Sequence, residues 1–130
     1  MKTVSKKRVL SLGQCAADQW SMSRVLQTSF DVEVIAADRF ANAEEQLRQG
    51  GIDLMLVNRV LDRDGSSGLD FIRQMKADDV LRQVPVMLVS NYADAQRQAV
   101  ALGALPGFGK AVLEDVATLT RLRDFLSDSK

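Results

Sequence analysis

Short apolar runs of strand length alternate along this chain with longer segments in which apolar residues recur every three or four positions. The clearest run is Leu54-Met55-Leu56-Val57, entered from Gly51-Ile52-Asp53 and left through Asn58. A strand covered on both faces has no polar side to alternate, so an unbroken run of this length predicts a buried strand with Asn58 at its carboxyl end. Val9–Leu12, Val32–Ala36 and Val86–Ser90 predict further strands, and a short one is expected around Gly107–Lys110.

The segments between them have helical period. Met22, Val25 and Leu26 share one face of a helix expected over Ala17–Thr28. Trp20 falls on the far side of that helix from Met22, where its ring is expected to lie over neighbouring side chains. Phe40, Ala43 and Leu47 mark a second helix, stopped by Gln49-Gly50-Gly51. Leu69, Ile72 and Met75 mark a third, ending near Ala77. A fourth spans Asn91–Leu102 with a weak stripe through Ala95, Ala99 and Val100, and Leu119, Leu122 and Leu126 carry the last. Strands alternating with helices predict βαβ units, hence an α/β domain on a parallel sheet with right-handed crossovers. Five such units leave no room for a second domain, so residues 1–130 read as one domain with its core over about 7–126.

Composition narrows the function classes. Seventeen basic residues balance seventeen acidic ones, so no global field draws the chain to nucleic acid or to an anionic membrane. Lys2, Lys6, Lys7 and Arg8 cluster ahead of the first strand and are expected to form a solvated arm. The absence of histidine removes imidazole acid/base chemistry and most zinc sites. A single cysteine cannot close an internal disulfide, no apolar stretch is long enough to span a membrane, and Val9–Leu12 is too short for a signal peptide. A cytoplasmic location is expected. Cys15 precedes the first helix, but with no histidine and no second cysteine it is expected to be a small structural residue.

The polar residues at the strand ends belong together: Gly13 and Gln14 after the first strand, Asn58 after the third, Ser90 after the fourth, Lys110 after the fifth. With Ile52-Asp53 before the third strand, Gly68-Leu69 opening the third helix, Val84-Pro85-Val86 and Gly103-Ala104, this layout resembles the CheY-like receiver domain of bacterial response regulators over about Lys7–Leu126. The resemblance implies a flavodoxin-like, three-layer, doubly wound sheet in the order 2-1-3-4-5. It also implies a phosphoacceptor aspartate where this chain has Asn58, and an acidic pair that helps to hold Mg²⁺ where it has Gly13 and Gln14. Ser90 and Lys110 keep the types of the switch hydroxyl and the lysine.

Those departures carry the functional expectation. An aspartyl phosphate needs a carboxylate nucleophile, which the Asn58 amide is not. Mg²⁺ prefers anionic oxygens, whereas Gly13 has no side chain and Gln14 and Asn58 offer neutral ones, so Mg²⁺ binding is expected to be weak or absent and no other cofactor is expected. The aromatic that usually precedes the lysine by three positions is Gly107, Phe108 should point to the opposite face, and Ala111 replaces the usual proline.

The chain therefore resembles a degenerate pseudo-receiver. It is expected to act as a non-enzymatic protein-interaction module in signalling, with a histidine kinase or an output domain as partner, or a second copy through the fourth helix, fifth strand and fifth helix. Two alternatives stand beside this. Asp62 or Asp64, in a loop about two residues longer than usual, could serve as a displaced phosphoacceptor or pair with Lys110, although Asp62–Gly68 also suits a solvated turn. An otherwise unpaired Lys110 could bind an anion in a flavodoxin-like small-molecule site.

Overall fold

The computed structural model describes residues 6–127; Lys2 of the basic cluster lies outside them. Strands β1 (Lys7–Leu12), β2 (Val32–Ala37), β3 (Leu54–Asn58), β4 (Val86–Val89) and β5 (Leu105–Phe108) alternate with helices α1 (Ala16–Ser29), α2 (Phe40–Gln49), α3 (Gly68–Lys76), α4 (Ala93–Ala101) and α5 (Val116–Leu126). Every strand pairing is parallel, and the sheet runs β2-β1-β3-β4-β5. This is the doubly wound α/β architecture in the expected order.

Strand alternation divides the core in two. Leu10, Leu12, Met55, Val57, Val86 and Leu88 face Ala43 and Leu47 of α2, Phe71, Ile72 and Met75 of α3, and Ala95 and Ala99 of α4. Val9, Leu54, Leu56, Met87, Val89 and Phe108 face Met22 and Leu26 of α1 and Leu122 and Leu126 of α5. Burying a side chain of this kind contributes roughly 1.5–3 kcal/mol relative to leaving it exposed, so the β3 run, buried on both faces, anchors the domain. Register places Leu12 beside Val57 and Val57 beside Leu88, so β1, β3 and β4 end level and their following residues share one edge.

Three sequence expectations shift. The fifth strand lies earlier, over Leu105–Phe108, and Lys110 opens a short 3-10 turn, Lys110–Val112. Pro106 lacks an N–H, but β5 is an edge strand, where that loss is tolerated. Lys7 and Arg8 are not an arm: both pair with β2, and the Arg8 side chain reaches Glu33 at 3.3 Å. Val100 is 45% exposed, because Ala95 and Ala99, one helical turn apart, already fill the inward face of α4.

A carboxylate ties the second and third helices to the fourth strand. Asp78 accepts hydrogen bonds from the backbone N–H groups of Leu81 and Val80 at 3.0 and 2.9 Å, and Arg48 of α2 meets it at 2.5 Å. The Leu81 N–H, then Arg48 and the Val80 N–H, hold its carboxyl at about 2, below its usual 3.8. A depressed folded-state value means stability that is present above pH 4 and lost as pH falls through about 2. Asp78→Asn is therefore expected to flatten the decline in stability between pH 4 and 2, measured by urea unfolding; an unchanged acid limb would contradict this role.

Candidate functional site

The carboxyl ends of β1, β3 and β4 form the crevice where open α/β sheets bind ligands. A small cleft of about 170 Å³ opens there, lined by Asn58, Arg59, Val60, Ser90, Asn91 and Lys110 among others. Asn58, Ser90 and Lys110 thus come together as the sequence implied. Gln14 does not join them: it lines a separate cleft with Gln19, Asp38, Asn42 and Glu45, and both atoms of its amide are buried without a hydrogen-bond partner among the described residues.

The position of the acidic pair is built differently from anything the sequence suggested. Gly13 adopts φ +88°, a conformation that side-chain-bearing residues rarely take. A Cβ there would lie 2.6 Å from Cγ of Leu61. Leu61 is only 1% exposed and belongs to the core on the α2–α4 side. Its inward direction comes from the loop after β3, which bends back on itself through an isolated antiparallel bridge between Val60 and Ser67 and a 2.9 Å bond from Leu61 N to Ser66 O. The Gly13 carbonyl accepts from Asp62 N at 2.9 Å and from Asn58 Nδ2 at 3.3 Å, drawing the loop down onto β1. An aliphatic side chain therefore occupies the ground above Gly13.

Asn58 is fixed through its amide nitrogen, which also donates to Val60 O at 2.7 Å. A carboxylate could make neither bond, since both partners are carbonyl oxygens and an ionised acid has no proton to give. This loop is thus matched to asparagine rather than aspartate.

Lys110 is not unpaired, which corrects the sequence expectation. Its Nζ donates to Asp18 Oδ2 on α1 at 2.6 Å. That bond holds the Asp18 carboxyl below its usual range against the opposing effect of partial burial, with a smaller contribution from the Cys15 thiol. Cys15 itself caps α1, its Sγ accepting from Asp18 N at 3.5 Å. Neither Asp62 nor Asp64 pairs with the lysine. Asp62 is exposed, and Asp64 accepts from Ser66 N at 2.9 Å in its own turn, a contact to Ser66 that lowers its carboxyl below the usual value. The side chains of Lys110 and Asp18 are 31% and 40% exposed, so Asp18→Asn is expected to cost only about 0.5 kcal/mol near neutrality. That contribution is present above the usual carboxylate value and is lost as pH falls through the lowered native one, a dependence that thermal unfolding across an acid series from pH 7 downward would check.

Ser90 is equally committed. Its Oγ accepts from Tyr92 N at 3.1 Å and its N–H bonds to Phe108 O at 2.9 Å. Behind it the β4–β5 ladder is irregular between Met87 and Val89. The Gln96 side chain from α4 fills the gap: Nε2 donates to Leu88 O at 2.9 Å and Ser90 O at 3.0 Å, while Oε1 accepts from Gly107 N at 3.0 Å. A Cβ at Gly107 would sit 2.1 Å from the Leu88 carbonyl oxygen. From the other side Arg121 of α5 donates to Gly107 O at 2.5 Å. Phe108 points into the α1/α5 core, opposite Gly107, as strand alternation required.

Tested against Mg²⁺, these residues do not fit. The positions that should supply anionic oxygens hold a glycine under a leucine and an amide donating to carbonyls, and the lysine is neutralised from α1. Among the described residues no group of three or more His, Cys, Asp or Glu could hold a metal ion, and no helix is long and apolar enough to cross a membrane.

No family model matches the chain, and no curated protein does. Its fold, however, is the receiver fold of response regulators. A protein described as a response regulator from Chloroflexus aurantiacus superimposes with a TM-score of 0.81 and 16% identity over 94% of this chain and 98% of that one. A response regulator from Thermotoga maritima gives 0.75 and 22% over 95% and 99%. The beryllofluoride-activated NtrC4 receiver domain dimer gives 0.72 and 19% over 92% and 98%.

Proposed function

We propose that this chain is a two-component-type signalling receiver that works by binding another protein and is not phosphorylated at position 58. The observation that carries the proposal is Leu61 packed over Gly13, which puts hydrocarbon where a side chain at position 13 would have to sit. The Asn58 amide, donating to Gly13 O and Val60 O, supports it independently. The Gln96 and Arg121 bonds to Gly107 add a third strand of support. They fix α4 and α5 to β5, so this face is presented in one arrangement rather than switched. A histidine kinase or an output domain is the class of partner the fold suggests, and the chain itself needs no catalytic activity or cofactor for that role.

One observation favours a second possibility, phosphorylation of a displaced carboxylate: the Asp62 backbone is bonded to Gly13 O, so that residue stands at the mouth of the crevice. Incubation with acetyl phosphate and Mg²⁺ followed by intact-mass measurement separates the two. The proposal expects no added phosphoryl group. A stable adduct that disappears in Asp62→Asn would establish the displaced acceptor instead.

A further inference from the structure

We propose that the groove between the loop after β3 and the start of α4 docks a partner's peptide segment that carries a carboxylate beside an aliphatic or aromatic side chain. This gives the proposed protein-binding role its surface and rests on that role. The groove, about 410 Å³, is lined by Arg59, Val60 and Ser67 of the loop, Leu69 of α3, and Tyr92 and Gln98 on the α4 side, among others. It lies on the α3 side of α4, away from Gln96, which faces β5. Of the seven large apolar residues that stand exposed among those described, Val60 at 40% and Tyr92 at 61% flank it. Both also line the small strand-end cleft, so the two concavities meet across Arg59. The walls are pre-set: Val60 is bridged to Ser67, and the Tyr92 N–H donates to Ser90 Oγ at 3.1 Å. A fixed concavity with exposed aromatic and aliphatic rims has the character of an interaction site.

Charge selects the occupant. Two charged side chains line the groove, and only one is neutralised: Asp94 pairs with Arg97 on its own helix, whereas the Arg59 side chain makes no ion pair or hydrogen bond among the described residues. The Arg59 guanidinium lies 4.8 Å from the Tyr92 ring centroid, a contact that steadies it and consumes none of its N–H donors. Arg59 is also half-buried, and a guanidinium drawn partly out of water favours an anionic acceptor. A small anion would satisfy the arginine and leave the apolar rims wet. An uncharged apolar segment would cover the rims and strand the guanidinium, and a basic one would be repelled. A segment with an acid beside an apolar side chain answers both, its carboxylate bidentate on Arg59 and its neighbour against Tyr92 and Val60. One lone cation is too little for a nucleic-acid backbone.

Selection of random displayed peptides on the native chain should enrich an aspartate or glutamate beside an aliphatic or aromatic residue. An enriched peptide, labelled and titrated, should bind about tenfold or more weakly to Arg59→Ala and to Tyr92→Ala. Arg59→Glu should reject that peptide and accept the version in which lysine replaces the acid, whereas Val100→Asp, outside the groove, should leave the affinity unchanged. Circular dichroism of each variant verifies folding. Enriched peptides without an acid, or an acidic peptide indifferent to Arg59→Ala, would overturn the proposal. So would a mass of the native chain that rises with concentration and no longer does so in Arg59→Glu, which would give the groove to a second copy. A peptide lost in Arg121→Ala but not in Arg59→Ala would overturn the groove while keeping the protein-binding role. No enrichment at all would overturn both.

Discussion

Leu61→Ala is expected to lower unfolding stability by about 2–5 kcal/mol, the usual cost of truncating a buried leucine where the surroundings relax only partly. The size of the loss would be unusual for a loop residue. Leu61 is buried because the hairpin-like loop after β3 turns it inward, where it meets the Gly13 backbone and the core of α2–α4. Urea unfolding checks it, and a loss below about 1 kcal/mol would show that the side chain does not fill this space. Removing the leucine should not create a metal site, because Gly13 and Asn58 still provide no anionic oxygen.

Gly107→Tyr, the change that returns an aromatic to its usual place in receivers, is expected to cost roughly 3–5 kcal/mol rather than to restore a switch. The new Cβ would meet the Leu88 carbonyl oxygen at 2.1 Å and Gln96 Oε1 at 2.9 Å. Backbone cannot step aside as a flexible side chain can, so β5 must shift and the three Gln96 bonds are lost together. Gly107→Ala should already show most of the effect, because the collision begins at Cβ. Thermal unfolding of both variants, beside Gln96→Ala as a measure of the bonds alone, separates strain from lost hydrogen bonding. A stable Gly107→Tyr protein would show that the Leu88 carbonyl and Gln96 do not close this position.

Much of the fold was legible because its signal is local. The β3 run, the stripes of α1 and α3, and the stop after α2 each follow from periodicity and from breakers within a few residues. The β5 strand was displaced because Pro106 and Gly107 act locally as breakers, whereas the sheet edge and the Gln96 amide let the strand pass through them. At the site, Asn58, Ser90 and Lys110 were identifiable by their place at strand ends. Leu61, Asp18 and Gln96 were not, since each acts on a residue far away in sequence or across the loop. The faint signal for Leu61 was an apolar Val60-Leu61 pair inside an otherwise polar loop. Asp18 looked like any acid in a first helical turn, and nothing in sequence distinguishes Gln96 from a solvated glutamine. Opposite charge at 92 residues' separation leaves no local trace.

We propose that Leu61 over Gly13 and the Asn58 amide close the strand-end crevice to metal and to phosphoryl analogues. Amide NMR spectra of the native chain, recorded while Mg²⁺ and beryllofluoride are added, test this closure. The resonances of Gly13, Asn58, Ser90 and Lys110 should stay where they are throughout the titration. Saturable movement of those four amides together would mean that the crevice binds metal and analogue, contradicting its closure.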